Sequence, residues 1–150
     1  MQRASAASPG LARAGAVLGV GIGGLFDGIV FHQILQWHHM ISATTPPTTL
    51  AALELNTLLD GLFHGAAWVM TVLGLWLLQA AAMPAQNAGR IVAGAMTVGW
   101  GAFNLVEGVL DHYILGIHHV RPGPDEALYD LVFLAWGGLF VAVGWLMARR

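Results

Sequence analysis

The run AGAVLGVGIGGLFDGIVFHQILQWHH, residues 14–39, decides the fold. It holds one carboxylate, Asp27, and no lysine or arginine. As a helix rising 1.5 Å per residue it would extend about 39 Å, beyond the roughly 20 residues that a bilayer core requires. Runs of the same kind occupy about 50–80, 90–117 and 127–147. Lipid offers no partner to open backbone groups, and none of these runs shows the ten-residue alternation of a barrel strand, so all four are expected to be helices. The expected fold is all-α, an integral membrane four-helix bundle forming a single domain over residues 1–150.

Composition agrees with this reading. The 150-residue chain is 57% hydrophobic and only 9% charged, with a mean hydropathy of +0.67, whereas a soluble domain carries about 25% charge. A net charge of −2 without any basic run excludes nucleic acid as a partner. There is no cysteine, so disulfides, thiolate metal sites and iron–sulfur clusters are excluded. Any metal must be held by nitrogen and oxygen.

The breaks between spans carry turn residues: Ser42–Pro47, Met83–Asn87 and Arg121–Asp125. Arg3, Arg13, Arg90, Arg149 and Arg150 fall on one side of a four-span chain and Arg121 on the other. The positive-inside rule then puts both termini in the cytoplasm, with the first span a retained anchor and not a cleaved signal. Trp37, Trp76 and Trp145 lie near boundaries and fit interfacial belts, while Trp68, Trp100 and Trp136 lie deeper, where packing roles are expected. Glycines four residues apart, Gly15, Gly19 and Gly23, Gly24 and Gly28, and Gly61 and Gly65, predict close helix packing. They also leave a homo-oligomer along a glycine stripe open.

Displaced by 80 residues, DGIVFHQILQWHH (27–39) lies over EGVLDHYILGIHH (107–119) with six of thirteen positions identical. Gly19, Gly21 and Leu25 also meet Gly99, Gly101 and Leu105. The shared pattern, acid-Gly-x-x-x-His-x-x-Leu-x-x-His-His, predicts two tandem copies of one helical hairpin. The repeat is clear for the first and third spans and poor for the second and fourth.

At 100° per residue His32 and His39 share one helix edge and Asp27 and His38 another, more than 100° apart. In the second span Asn56, Asp60 and His64 form one stripe; in the third Asn104, Glu107 and Asp111 nearly do. If the histidine pairs mark the outer boundary, His32 and His112 lie about 10 Å inside it and Asp27 and Glu107 about 17 Å. Each carboxylate at that depth costs about 2.5–3.5 kcal/mol. Asp27, Asp60, Glu107 and Asp111 therefore need protons, histidinium or a bound cation, because no basic residue stands beside them.

Imidazole with carboxylate suits zinc, iron or copper. His32 and His112, equivalent by the repeat, are the expected ligand pair, with His64, Asp27, Asp60 and Glu107 completing or orienting the site. His38, His39, His118, His119, Asn56, Asn104 and Asp111 are expected around it or at the interface. Three other readings stay open. His32 and His112 could ligate a haem from opposite faces; Asp27, Asp60, Glu107 and His64 could relay protons in a proton-coupled transporter; or the chain could be a non-catalytic assembly subunit.

The blocks GLFDGIVFHQILQWHHM, LNTLLDGLFHGAAW and NLVEGVLDHYILGIHHVRPG resemble those of a bacterial family of predicted four-span membrane proteins, domain of unknown function 2243. The resemblance runs from about residue 14 to 147. It implies an inner-membrane location with the lipid bilayer as partner. It also points towards respiratory-oxidase assembly factors as partners, and so towards metal or haem handling.

Overall fold

The computed structural model describes residues 9–81 and 87–149. It is built of helices, with no strand among the described residues. The order is α1 (Pro9–Asp27), a π-helical turn (Gly28–Ile34), α2 (Leu50–Ala80), α3 (Ala88–Glu107), a second π-helical turn (Gly108–Ile114) and α4 (Glu126–Arg149). Arg3, Arg150 and residues Met83 to Gln86, used above for orientation and for the second turn, lie outside the described residues.

Three helices are long and apolar enough to cross a membrane: Pro9–Ile34, Leu50–Ala80 and Glu126–Arg149, with mean hydropathies of 1.8, 1.6 and 2.1. The third run, expected to resemble them, is more polar. Arg90, Thr97, Asn104 and Glu107 interrupt α3, and Gly89, Gly94, Gly99 and Gly101 dilute its side chains.

Packing explains that difference. Helix α1 packs on α2 and α3, and α3 packs on α1 and α4, so α1 and α3 are central and α2 and α4 flank them. The central contact is made by backbones. A Cβ on Gly19 would collide with the Met96 carbonyl, and one on Gly99 with the Ala16 carbonyl, so only glycine permits this approach. Leu11, Ala14, Leu18, Ile91 and Ala95 fill the remaining core. Gly74 of α2 rests on Leu18, and Gly144 of α4 rests on Gly94 and Val98.

The flanking helices turn large apolar side chains outward, including Leu58, Leu62, Leu131 and Leu139. Trp68 and Trp136, expected as interior packing residues, are 60% and 51% exposed on this outer surface. Gly61 and Gly65 likewise meet nothing within 4 Å, so that stripe packs no helix within the chain. Trp68 and both glycines belong to α2, and Trp136 to α4, where it is half exposed.

Both central helices end in a π turn. Leu35 N–H donates to the Val30 carbonyl (2.8 Å) and Leu115 N–H to the Leu110 carbonyl (2.7 Å), each five residues back. The chain then breaks at a left-handed residue, Gln36 (φ 49°) in the first loop and Gly116 (φ 57°) in the second. The two loops are joined by Ala43 N–H donating to the Ile117 carbonyl (3.0 Å). Thr49 caps α2 by accepting from Ala52 N–H (3.2 Å).

Candidate metal centre

The π turns decide where the polar side chains meet. In an α-helix, residues five apart point about 140° from one another, but a π-helix closes its hydrogen bond at i+5 and stacks them. His32 Nε2 thereby lies 3.3 Å from Asp27 Oδ2, and His112 Nε2 lies 3.1 Å from Glu107 Oε1. The two helix edges expected for Asp27 and His32 from α-helical geometry are in fact one edge.

Each flanking helix supplies one carboxylate that anchors the end of a central helix. Asp60 accepts from His32 Nδ1 (2.8 Å), His39 Nδ1 (2.7 Å) and the Met40 backbone N–H (2.8 Å). Asp130 accepts from His119 Nδ1 (2.6 Å) and the Val120 N–H (2.9 Å), and its Oδ1 lies 3.1 Å from His112 Nδ1. Both carboxylates are 1% exposed. Asp130 was not among the residues expected at the site. It becomes visible in the sequence only when the displacement between halves drops from 80 to 70 residues, which aligns Asp60, Phe63 and Gly74 with Asp130, Phe133 and Gly144.

His38 and His118 are central, not interfacial. Both are buried, their rings stack with centroids 4.5 Å apart and planes 3° from parallel, and they touch His32 and His112 respectively. His38 donates Nδ1–H to the Val120 carbonyl (2.8 Å), and His118 donates Nδ1–H to the Met40 carbonyl (3.0 Å). His118 Nε2 lies 2.9 Å from Glu107 Oε1. Burial first, then the neighbouring charges of His118 and His32, hold His38 down at about 2, so it is a neutral imidazole. Burial works in the same direction on His118, but the hydrogen bond and charge of Glu107 outweigh it and raise its pKa.

The remaining expected residues divide by distance from this centre. His39 and His119 stand on the rim, each held by its carboxylate. His64 donates Nδ1–H to the backbone carbonyl of Asp60 (2.6 Å), not to its carboxylate, and its ring lies 6.4 Å from that of His32. Asn56 pins the first loop, accepting from Ile41 N–H (3.2 Å) and donating to the Thr45 carbonyl (2.8 Å). Asp111 offers its backbone carbonyl to Ile117 N–H (2.9 Å). Asn104 is buried beside Asp27 at a cavity discussed below.

Two sets of ligand atoms lie within 4.8 Å of one another: those of His32, His38 and His118, and those of Glu107, His112 and His118. These groups can hold a metal. Six of the seven imidazoles have Nδ1 hydrogen-bonded to a carboxylate or carbonyl oxygen, which in a neutral ring leaves the lone pair on Nε2; His118 differs in that its Nε2–H also donates to Glu107. His32 Nε2, His38 Nε2, His64 Nε2 and Glu107 Oε2 are buried without a hydrogen-bond partner. Ligands oriented by a second hydrogen bond and left with an unmatched lone pair are what a metal of imidazole and carboxylate preference fits.

A polar cluster buried at the end of two central, glycine-packed helices, beneath flanking helices of membrane-crossing length, defines a membrane protein with an internal His/Asp/Glu site. The chain belongs to the family of predicted membrane proteins designated domain of unknown function 2243, which matches residues 14–150. It is also 28% identical over 118 residues to the uncharacterized protein Rv1337 of Mycobacterium tuberculosis and to the uncharacterized protein Mb1372 of Mycobacterium bovis. Those matches cover 76% of this chain and 45% of each relative, so the chain spans less than half the length of the curated relatives it matches. No solved structure matches it.

Proposed function

We propose that this is a bacterial inner-membrane protein made of two tandem copies of one helical hairpin, with a transition-metal centre where the copies meet. The ligands are His32, His38 and His118, joined by His112, Glu107 and Asp27. Asp60 and Asp130 orient them, and His64 stands in reserve beside His32. The role is metal handling, or a redox or assembly function, at the respiratory membrane. The observation that carries this reading is the set of buried imidazole and carboxylate atoms without hydrogen-bond partners, because in a low-dielectric interior such atoms are costly unless something binds them. Contacts repeated between halves support the two-copy reading, from the Asp60 and Asp130 anchors to the exchanged His38 and His118 bonds.

A haem ligated by His32 and His112 fits less well, because the stacked His38 and His118 rings touch both and stand where the macrocycle would lie. Proton transfer has one specific observation in its favour. His39, Asp60, His32 and Asp27 form a chain with steps of 2.7, 2.8 and 3.3 Å leading inward from the rim. The decisive experiment is elemental analysis of detergent-purified protein together with its visible spectrum, alone and after cobalt(II) loading. Stoichiometric metal and cobalt d–d bands of a nitrogen–oxygen site support the centre. A Soret band would support haem, and neither metal nor cobalt uptake leaves the relay.

A further inference from the structure

Next to the centre, between the end of α1, α3 and α4, lies a cavity of about 420 Å³. That volume falls in the range of roughly 300–1,000 Å³ typical of small-molecule sites. Its walls are largely aromatic, Phe26, Phe31, Trp37, Trp100, Phe133 and Trp136 among them. Three lining residues carry polar side-chain groups, Asp27, Asn104 and Tyr129, and the Tyr129 hydroxyl is already engaged by Arg121. Asn104 is 3% exposed, and its side-chain amide makes no hydrogen bond among the described residues. Asp27 lines the cavity, and behind it its Oδ2 lies 3.3 Å from His32 Nε2 of the centre.

The mouth opens on the apolar outer surface, where Phe26, Val132 and Trp136 are 43%, 57% and 51% exposed. Two of its lining residues nearest the loops, Trp37 and Tyr129, also meet Arg121, whose guanidinium lies 5.3 Å from both ring centroids and donates to the Tyr129 hydroxyl (2.7 Å). At the corresponding place in the other half the space beside Gly24 is filled by Phe63 and Phe103. Trp100 and Trp136 correspond there to Val20 and Ala66, and Asn104 to Gly24.

We propose that this cavity is a binding site for a membrane quinone, a planar ring bearing two oxygens on an apolar isoprenoid tail. The aromatic walls offer faces and edges to a flat ring. The Asn104 amide donates to a ring carbonyl, and the Asp27 carboxylate accepts from a ring hydroxyl, so the quinone and the quinol each find a partner. The tail leaves through the mouth between Val132 and Trp136 into lipid. An acyl chain would fit the walls but would leave Asn104 buried and unpaired, which buried amides avoid. A cavity open beside Asn104 and filled at the corresponding Gly24 fits a single ligand bound beside the centre.

The site does not require metal, so it can be tested on metal-stripped protein and stands or falls apart from the centre. Menadione and decylubiquinone are titrated into detergent-purified, chelator-treated protein, and tryptophan fluorescence is followed, since Trp37, Trp100 and Trp136 line the cavity. Saturable quenching is expected, weakened by about tenfold or more in Asn104→Leu. Val132→Trp, which adds bulk only at the exposed mouth, serves as a second variant should Asn104→Leu not fold, and is also expected to weaken quenching. Quenching that grows linearly without saturating, or that saturates with the same affinity in Val132→Trp and in any folded Asn104→Leu, overturns the proposal. Displacement of both quinones by an equal concentration of oleate overturns it as well, because it assigns the cavity to acyl chains.

Discussion

His38 and His118 stack face to face, 3° from parallel, and each donates its Nδ1–H to the carbonyl two residues beyond the other: Val120 for His38, Met40 for His118. The exchange ties the two loops together, leaving His118 Nε2 against Glu107 (2.9 Å) and His38 Nε2 buried without a partner. Neither half can form its site alone, since each half's histidine is oriented by the other's backbone. In the proposed centre the ligands would therefore be oriented jointly by the two loops.

Replacing His38 and His118 together by alanine is therefore expected to abolish metal uptake, lowering affinity by at least about 100-fold. The pair His32 and His112 should behave likewise, but His39 and His119, held on the rim, should lose little when each is changed to alanine. Metal content by elemental analysis, with helical circular dichroism as a folding control, separates these outcomes. Full metal retention in the His38/His118 variant would show that these are packing residues.

Asp130 should matter as much as Asp60. Each carboxylate takes a backbone N–H and at least one imidazole N–H. Asp60→Asn and Asp130→Asn keep the size but put an amide donor against an imidazole N–H. Each change should lower metal affinity by about 10- to 100-fold and stability by about 1–3 kcal/mol. Parallel metal titrations and thermal melts check both; a silent Asp130→Asn would break the equivalence of the halves.

Why Asp60 was legible and Asp130 was not follows from the loops. The first, 35–49, is four residues longer than the second, 115–125, and α2 and α4 pair in a further shifted register, so one fixed displacement aligns the central helices and misaligns the flanking ones. The repeat of Asp27–His39 in Glu107–His119 was open to reading because it crosses no gap. The π turns were not: nothing in Gly28–Ile34 or Gly108–Ile114 distinguishes a wide turn from an α turn. That one feature rotates His32 onto the edge of Asp27 and carries His38 inward from the expected interface.

The two stacked histidines also set opposite pH dependences for the metal-free protein. His38 stays neutral in the fold down to about 2 but would take a proton at its ordinary 6.5 when unfolded. It thus contributes stability above 6.5 that is lost as pH falls towards 2. His118 has its pKa raised from 6.5 by Glu107, so its contribution is complete below 6.5 and is lost as pH rises through the raised value. The combined contribution of this pair is therefore greatest close to 6.5, and thermal melts of metal-free wild type against His38→Ala and His118→Ala from about pH 4 to about 9 should show each loss on its own side of that value. Metal affinity should instead keep increasing above 6.5, as the ligand sheds its proton.

Glycine spacing alone does not say which glycines carry the packing, and substitution can. Gly19 and Gly99 meet the Met96 and Ala16 carbonyls across the central interface, where an added methyl has no flexible neighbour to push aside. Gly61 and Gly65 share the same four-residue spacing but face open space. Gly19→Ala and Gly99→Ala should each destabilise by about 1–3 kcal/mol through overpacking. Gly61→Ala and Gly65→Ala should stay near neutral, or gain up to about 1 kcal/mol from the better helix propensity of alanine. Thermal melts of the four single variants in one detergent give the comparison. A marked loss in Gly61→Ala or Gly65→Ala, together with a concentration-dependent melting temperature, would mean that this stripe is covered by a second copy of the chain, because none of the described residues lies against it.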